Sequence, residues 1–134
     1  MNAPSVDIKD MLIAESIGLT LGQNLFIGKE KTDPDDIVVI YDIYGGMPDL
    51  TMDQKTYERP SVQIKVRTRD YEAGWTLIND IYLSLHGRAH ETWNDAIYEL
   101  IIAVMNPTHF DWDDRGRARF IVNFNLQRKQ SADS

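Results

Sequence analysis

The stretch that decides the fold is Ser61-Val62-Gln63-Ile64-Lys65-Val66-Arg67-Thr68, followed at once by Asp70 and the run from Tyr71 to Leu85. In the first part Val62, Ile64 and Val66 alternate strictly with Gln63, Lys65 and Arg67. A period of two places the apolar set on one face of a strand and the polar set on the other, a wet face. In the second part the period becomes helical. Tyr71, Trp75, Ile78, Ile81, Tyr82 and Leu85 fall on one stripe, and Trp75 is read as core. Asp70 stands where it can cap the first free amides, and Gly87 where a helix ends in left-handed backbone. A half-buried strand feeding a half-buried helix is the working unit of a layered α+β domain.

Working outward towards the N-terminus, residues 45–60 form the longest segment without periodicity. It holds Pro48 and several charges, yet also Met47, Leu50, Met52 and Tyr57. A long loop in a compact domain is often functional, and its apolar side chains make it a contact arm. It is expected to be mobile in the isolated subunit and ordered on assembly. Before it, residues 37–44 (Ile-Val-Val-Ile-Tyr-Asp-Ile-Tyr) read as a strand buried on both faces, and residues 24–28 as a short strand. Residues 6–17 read as the first helix, with Ser5 as its cap, Asp7 and Asp10 favoured by the helix dipole, and Gly18 as its stop.

Towards the C-terminus, residues 88–94 read as a polar link and residues 96–105 as an apolar strand. Residues 110–112 and 117–126 flank Asp113-Asp114-Arg115-Gly116, a hairpin turn with glycine at the left-handed position. In the last strand Ala118, Phe120, Val122, Phe124 and Leu126 alternate with Arg117, Arg119, Asn123 and Asn125. The tail, residues 128–134, is polar and read as frayed. The whole is a single domain spanning residues 1–134. Its class is α+β: a mostly antiparallel or mixed sheet flanked by two main helices, with a long loop between strands.

Composition narrows the function classes. The chain has 134 residues, no cysteine, and a net charge of −7 from 21 acidic and 14 basic residues. Disulfides, zinc-thiolate sites and thiol nucleophiles are excluded. So acidic a chain is repelled by DNA and by anionic membranes unless its cations cluster. The local concentrations, Arg67/Arg69 and Arg115/Arg117/Arg119, have aspartates beside them. No apolar run approaches the ~20 residues of a membrane span, and the first ten residues do not read as a secretory signal.

The tests for chemistry return little. Asp111-Trp112-Asp113-Asp114-Arg115-Gly116 begins like a calcium loop but has Arg115 at its fifth position and Val122 where a bidentate Glu belongs. His86 and His90 are separated by Gly87, which breaks the helix they would need to share a metal. Gly45-Gly46 lacks the residues of a phosphate loop, and no serine stands in a nucleophile elbow. The carboxylates all lie in polar segments. No catalytic residue, metal ligand or cofactor site is therefore assigned. Trp93 and Trp112, in polar surroundings, join Met47, Leu50, Met52 and Tyr57 as candidate assembly contacts. The profile favours an interaction or assembly protein. A small-molecule-binding protein or enzyme with residues 45–60 as its lid is the alternative from another class.

Several segments taken together resemble a known family. They are Phe26-Ile27-Gly28, Val38-Val39-Ile40-Tyr41-Asp42 running into Gly45-Gly46, and Glu58-Arg59-Pro60-Ser61-Val62-Gln63-Ile64-Lys65-Val66-Arg67. Tyr82-Leu83-Ser84-Leu85-His86-Gly87 follows, then Asp113-Asp114-Arg115-Gly116-Arg117 ahead of Phe120-Ile121-Val122-Asn123-Phe124. Over roughly residues 8–127 the chain is similar to the tail terminator and minor capsid proteins of long-tailed bacteriophages and prophages. The resemblance implies a virion protein of the tail or neck, assembled in the host cytoplasm. It implies a ring, hexameric in that family, which caps the tail tube, stops its polymerisation and offers a surface for head joining. The implied partners are further copies of the chain, the tail tube protein and a head-completion or connector protein. Genomic DNA would pass through an acidic lumen without specific binding, and no membrane is involved. Another head–tail connector ring is the nearest alternative.

Overall fold

The computed structural model describes residues 1–47, 49–50 and 56–131. Along these the chain forms helix α1 (Pro4–Ala14), strands β1 (Leu25–Ile27), β2 (Ile37–Ile43), β3 (Asp49–Leu50), β4 (Thr56–Glu58) and β5 (Ser61–Thr68), helix α2 (Tyr71–Leu85), and strands β6 (Glu91–Trp93), β7 (Ala96–Ala103), β8 (Thr108–Trp112) and β9 (Ala118–Gln130). All nine strands belong to one mixed sheet. The α+β class holds.

Strand β9 is the spine. On one side it pairs with β5 and then, further along, with β4; on the other it pairs with β8 and then with β7. Beyond β5 lies β2, antiparallel, and beyond that β1, parallel to β2. The inward residues of β9 meet Val62, Ile64 and Val66 across the ladder and are fully buried as far as Leu126. Both helices cover this face. Ile8, Met11 and Leu12 of α1 and Ile78, Ile81 and Leu85 of α2 complete the core.

Helix α2 starts and stops where the sequence places it. The Asp70 carboxylate accepts the Ala73 N–H at 2.9 Å, and Gly87 takes φ 89° just past the end. The stripe is rotated, however. Gly74, Ile78, Ile81 and Leu85 are buried, whereas Tyr71 and Trp75 stand at the sheet margin, Trp75 43% exposed. Trp75 is a rim residue, because Phe120 fills the core below it and only a glycine fits at position 74.

Other expectations are corrected. Ser5 does not cap α1. Ala3 is the N-cap and Pro4 takes the first helical position, where a missing N–H costs nothing. Ser5 instead turns to β2, its N–H and hydroxyl both donating to the Asp42 carboxylate at 2.9 and 2.6 Å. The expected wet face of β5 is wet only in part: Gln63 and Lys65 are half-buried, while Arg67 is 1% exposed beneath the segment 29–36. Strand β2 is buried on both faces only from Ile37 to Ile40, and beyond that it emerges into solvent. The polar link 88–94 contains β6, and the frayed tail is instead the end of β9 as far as Gln130. The aperiodic loop 45–60 contains a hairpin, β3 against β4, laid onto the end of β9. Pro48 and residues 51–55, with Met52 among them, lie outside the described residues, as does the expectation that the loop orders on assembly.

Candidate functional site

Several of the chain's arginines are turned onto carboxylates of the same chain. Arg67 and Arg119 face each other across the β5–β9 ladder. Arg67 donates to Glu30 at 3.0 Å and to the carbonyls of Thr32, Pro34 and Asp35, which ties the segment 29–36 over the sheet. Arg119 holds Asp111 through two bonds of 2.6 and 2.8 Å and also reaches Glu30. Arg117 binds Asp113 at 2.7 Å and Asp35 at 3.2 Å. Burial would raise the Glu30 carboxyl, but the Arg67 hydrogen bond and the charges of Arg119 and Lys65 outweigh it and hold it below its ordinary value. The two arginine clusters are thus a neutralised seam, not a nucleic-acid surface. Asp111 and Asp113, the start of the apparent calcium loop, are engaged by arginines.

A second network pins the N-terminus. Asp7 is fully buried and accepts from Tyr98 and Asn94; Arg128 lies 3.4 Å from it and binds Glu58 of β4 at 2.7 Å. Burial, and then the bond to Asp7, push the Tyr98 hydroxyl far above its ordinary value. This buried carboxylate escaped the sequence reading, which placed every carboxylate in polar surroundings. Beside it, at the root of the β3–β4 arm, a cleft of about 390 Å³ is lined by Pro4, Asp42, Gly45, Glu58, Arg59 and Arg128. Its Asp42 and Arg128 are already bound, to Ser5 and Glu58.

The histidines do not converge. His86 accepts the Ala103 N–H at 3.0 Å, His90 meets Glu99 at 2.9 Å, and His109 packs among Tyr71, Trp112 and Phe120. Among the described residues no group of three or more His, Asp or Glu is placed to hold a metal ion.

Among the exposed large apolar side chains, which include Leu83 and Val104 elsewhere, two groups stand near the candidate contacts. The first is the arm. Tyr44 is 98% and Met47 84% exposed, and Leu50 follows in the backbone of β3. Tyr57 anchors the arm's other strand, its hydroxyl donating to Gln127 at 3.3 Å with Arg59 over its ring. The second is an aromatic patch at the far end of β9. Trp112, 54% exposed, stacks on Tyr71 with centroids 6.0 Å apart, and Trp75 stands alongside over Phe120. Trp93 joins neither. It is half-buried against the core edge, its indole N–H donating to Glu91 at 2.8 Å. The sequence reading missed Tyr44, Tyr71 and Trp75 as surface residues. Their local patterns place Tyr44 at the end of a buried strand, and Tyr71 and Trp75 on the apolar stripe of α2.

Comparisons with known proteins agree with this surface-dominated picture. No sequence among curated proteins matches the chain. Among solved structures, a chain from the virion of a native gene transfer agent particle shares the fold at a TM-score of 0.69, with 12% sequence identity and 95% of each chain covered. The model of the bacteriophage tail terminator protein family matches residues 7–130. The chain therefore belongs to the bacteriophage tail terminator family, a family of structural proteins of the phage tail.

Proposed function

We propose that this chain ends the tail tube of a phage-like particle. Copies assemble into a ring, of six subunits by the family resemblance. The ring seats on the tube, blocks addition of further tube subunits and presents its outer surface to a head-completion or connector protein. The family match over residues 7–130 carries this reading. The geometry supports it: most arginines of the central seam are paired within the subunit, while apolar side chains such as Tyr44, Met47 and Trp112 stand exposed. A net charge of −7 suits a ring through which DNA slides without sticking. The test is a tube-growth assay with the cognate tail tube protein. Substoichiometric addition of the chain should arrest elongation and place one ring at each tube end in negative-stain images. Tubes that lengthen unchanged would overturn the proposal.

A further inference from the structure

We propose that the cleft between the segment 29–36 and the turn before β9 binds one small oxyanion of the phosphate class. The inference goes beyond the ring reading above and does not depend on it.

The cleft has a volume of about 270 Å³, and five cationic side chains line it against three carboxylates. The strands explain the crowding. Arg117 and Arg119 are two residues apart and share a face, and Arg67 lies opposite Arg119 in the ladder. The segment 29–36 and the turn at 113–116 close over these guanidinium groups.

Two of the three carboxylates are fully engaged. Both Glu30 oxygens accept from arginine, one from Arg67 and each from Arg119. One Asp113 oxygen accepts the backbone N–H groups of Arg115 and Arg117, and the other accepts Arg117 Nε. Asp114 is the third, exposed and without a partner among the described residues.

The cations are not all engaged. Arg117 is 3% exposed, and its Nε and Nη1 donate to Asp113, Asp35 and the Thr32 carbonyl. Its Nη2 has no partner among the described residues, although Arg117 lines the cleft. A largely buried guanidinium with an unused nitrogen favours an acceptor beside it. Lys31 and Arg115 are exposed members of the same lining. Lys31 makes no ion pair among the described residues, and Arg115 reaches only Asp33, at 3.9 Å.

These three cations come from three places in the chain: the covering segment, the turn, and the start of β9. Donors on separate segments suit a tetrahedral oxyanion, whose acceptors do not lie in one plane, better than a carboxylate, which takes a single guanidinium fork. The volume is below the ~300 Å³ at which pockets for larger organic ligands begin. A polyanion would also meet Asp114, the exposed Asp33 and the chain's net charge of −7. A single small ion avoids most of that repulsion. Bound there, it bridges the segment 29–36 to the turn and holds the cover over Arg67.

The test titrates inorganic phosphate into the full-length chain at neutral pH, against chloride at equal ionic strength, and follows amide shifts by NMR. We expect saturable one-to-one binding with a dissociation constant on the order of 1 mM. The shifts should be confined to residues 29–36, 67 and 113–119, and the melting temperature should rise with phosphate concentration. Lys31→Gln and Arg115→Gln change exposed side chains, should melt as the parent does without phosphate, and should each weaken binding roughly three- to fivefold. Shifts that follow ionic strength without saturating, or variants that bind as the parent does, would overturn the site. Acetate binding as tightly as phosphate would overturn the ligand class. A single-stranded oligonucleotide binding more tightly than the free ion would overturn the choice of a small ion.

Discussion

Gly74 lies against Phe120 so closely that a β-carbon added to the glycine would come within 2.5 Å of the Phe120 ring and 2.3 Å of the Thr68 hydroxyl. Phe120 is fully buried, and the Thr68 hydroxyl is committed to the Asp70 carbonyl at 2.7 Å. Neither can step aside cheaply. Gly74→Ala gains roughly 1 kcal/mol of helix propensity but overpacks the seam between α2 and β9, at about 1–3 kcal/mol. The expected outcome is a net loss of stability in urea unfolding, opposite in sign to the propensity rule. A variant more stable than the parent would show that α2 shifts freely on the sheet.

Trp75 and Ile78 separate the rim of that helix from its core. Ile78→Ala deletes fully buried methyl groups and should cost about 2–5 kcal/mol. Trp75→Ala removes a side chain that keeps much of its surface in water and should cost less than Ile78→Ala, despite its larger size. Urea midpoints at matched slopes check the order.

How much of this was legible follows from where the alternation stops being apolar. Residues 61–68 and 118–126 carry apolar side chains at every second position, and both strands are legible from it. At Arg128 the same inward position continues, but an arginine occupies it, so the expected strand ends four residues early. The local pattern does not reveal that Asp7 and Tyr98, distant in sequence, converge there. Arg67 was misread in the same way, because its cover, the segment 29–36, is held by backbone carbonyls that any sequence supplies. The exposed aromatic patch was hidden by a rotation of α2 that Gly74 dictates through a single close approach. Met47 was legible as an apolar side chain with no periodicity to bury it, and it is 84% exposed.

The Arg128 network gives a test of that hidden inward position. Arg128→Met leaves buried Asp7 without its cation and frees Glu58, and breaking a buried pair in this way costs about 3–5 kcal/mol. Adding Asp7→Asn should recover part of the loss, because the stranded charge is gone. Truncation after Gln127 should destabilise at least as much as Arg128→Met. Equal stabilities for the single and double variants would show that the pair is not coupled.

Acid should loosen the seam over the sheet. The Glu30 carboxyl lies below its ordinary 4.5, and the Asp113 carboxyl below its ordinary 3.8, the latter because hydrogen bonds from Arg117 and Arg115 outweigh burial. A carboxyl depressed in the folded state contributes its full stabilisation above the unfolded value and loses it as pH falls through the folded one. Stability should therefore be flat above about pH 5 and decline below pH 4. Glu30→Gln should be less stable at neutral pH and show a shallower acid limb. A parallel limb would assign the acid sensitivity to other carboxylates.

The arm can be separated from the core at Gly45. Its backbone passes so close to the start of β5 that a β-carbon would sit 2.3 Å from the Arg59 carbonyl and 2.7 Å from Pro60 Cα. Both are backbone atoms, so no side-chain rotation relieves the clash. The neighbouring Gly46 N–H donates to that same Arg59 carbonyl at 2.7 Å, which fixes where the arm leaves the sheet. Gly45→Ala must therefore displace either the arm or the Arg59–Pro60 corner. The arm is the cheaper to move, because Tyr44 and Met47 are largely exposed, whereas Ser61 is locked between Ile43 and Asn125 in the ladder. The core strands should keep their amide protection in hydrogen exchange, and the melting temperature should fall only modestly. If the proposed assembly uses Tyr44 and Met47, it should fail while the subunit stays folded. A Gly45→Ala chain that still forms rings and still arrests tube growth would show that the arm's direction does not matter to assembly.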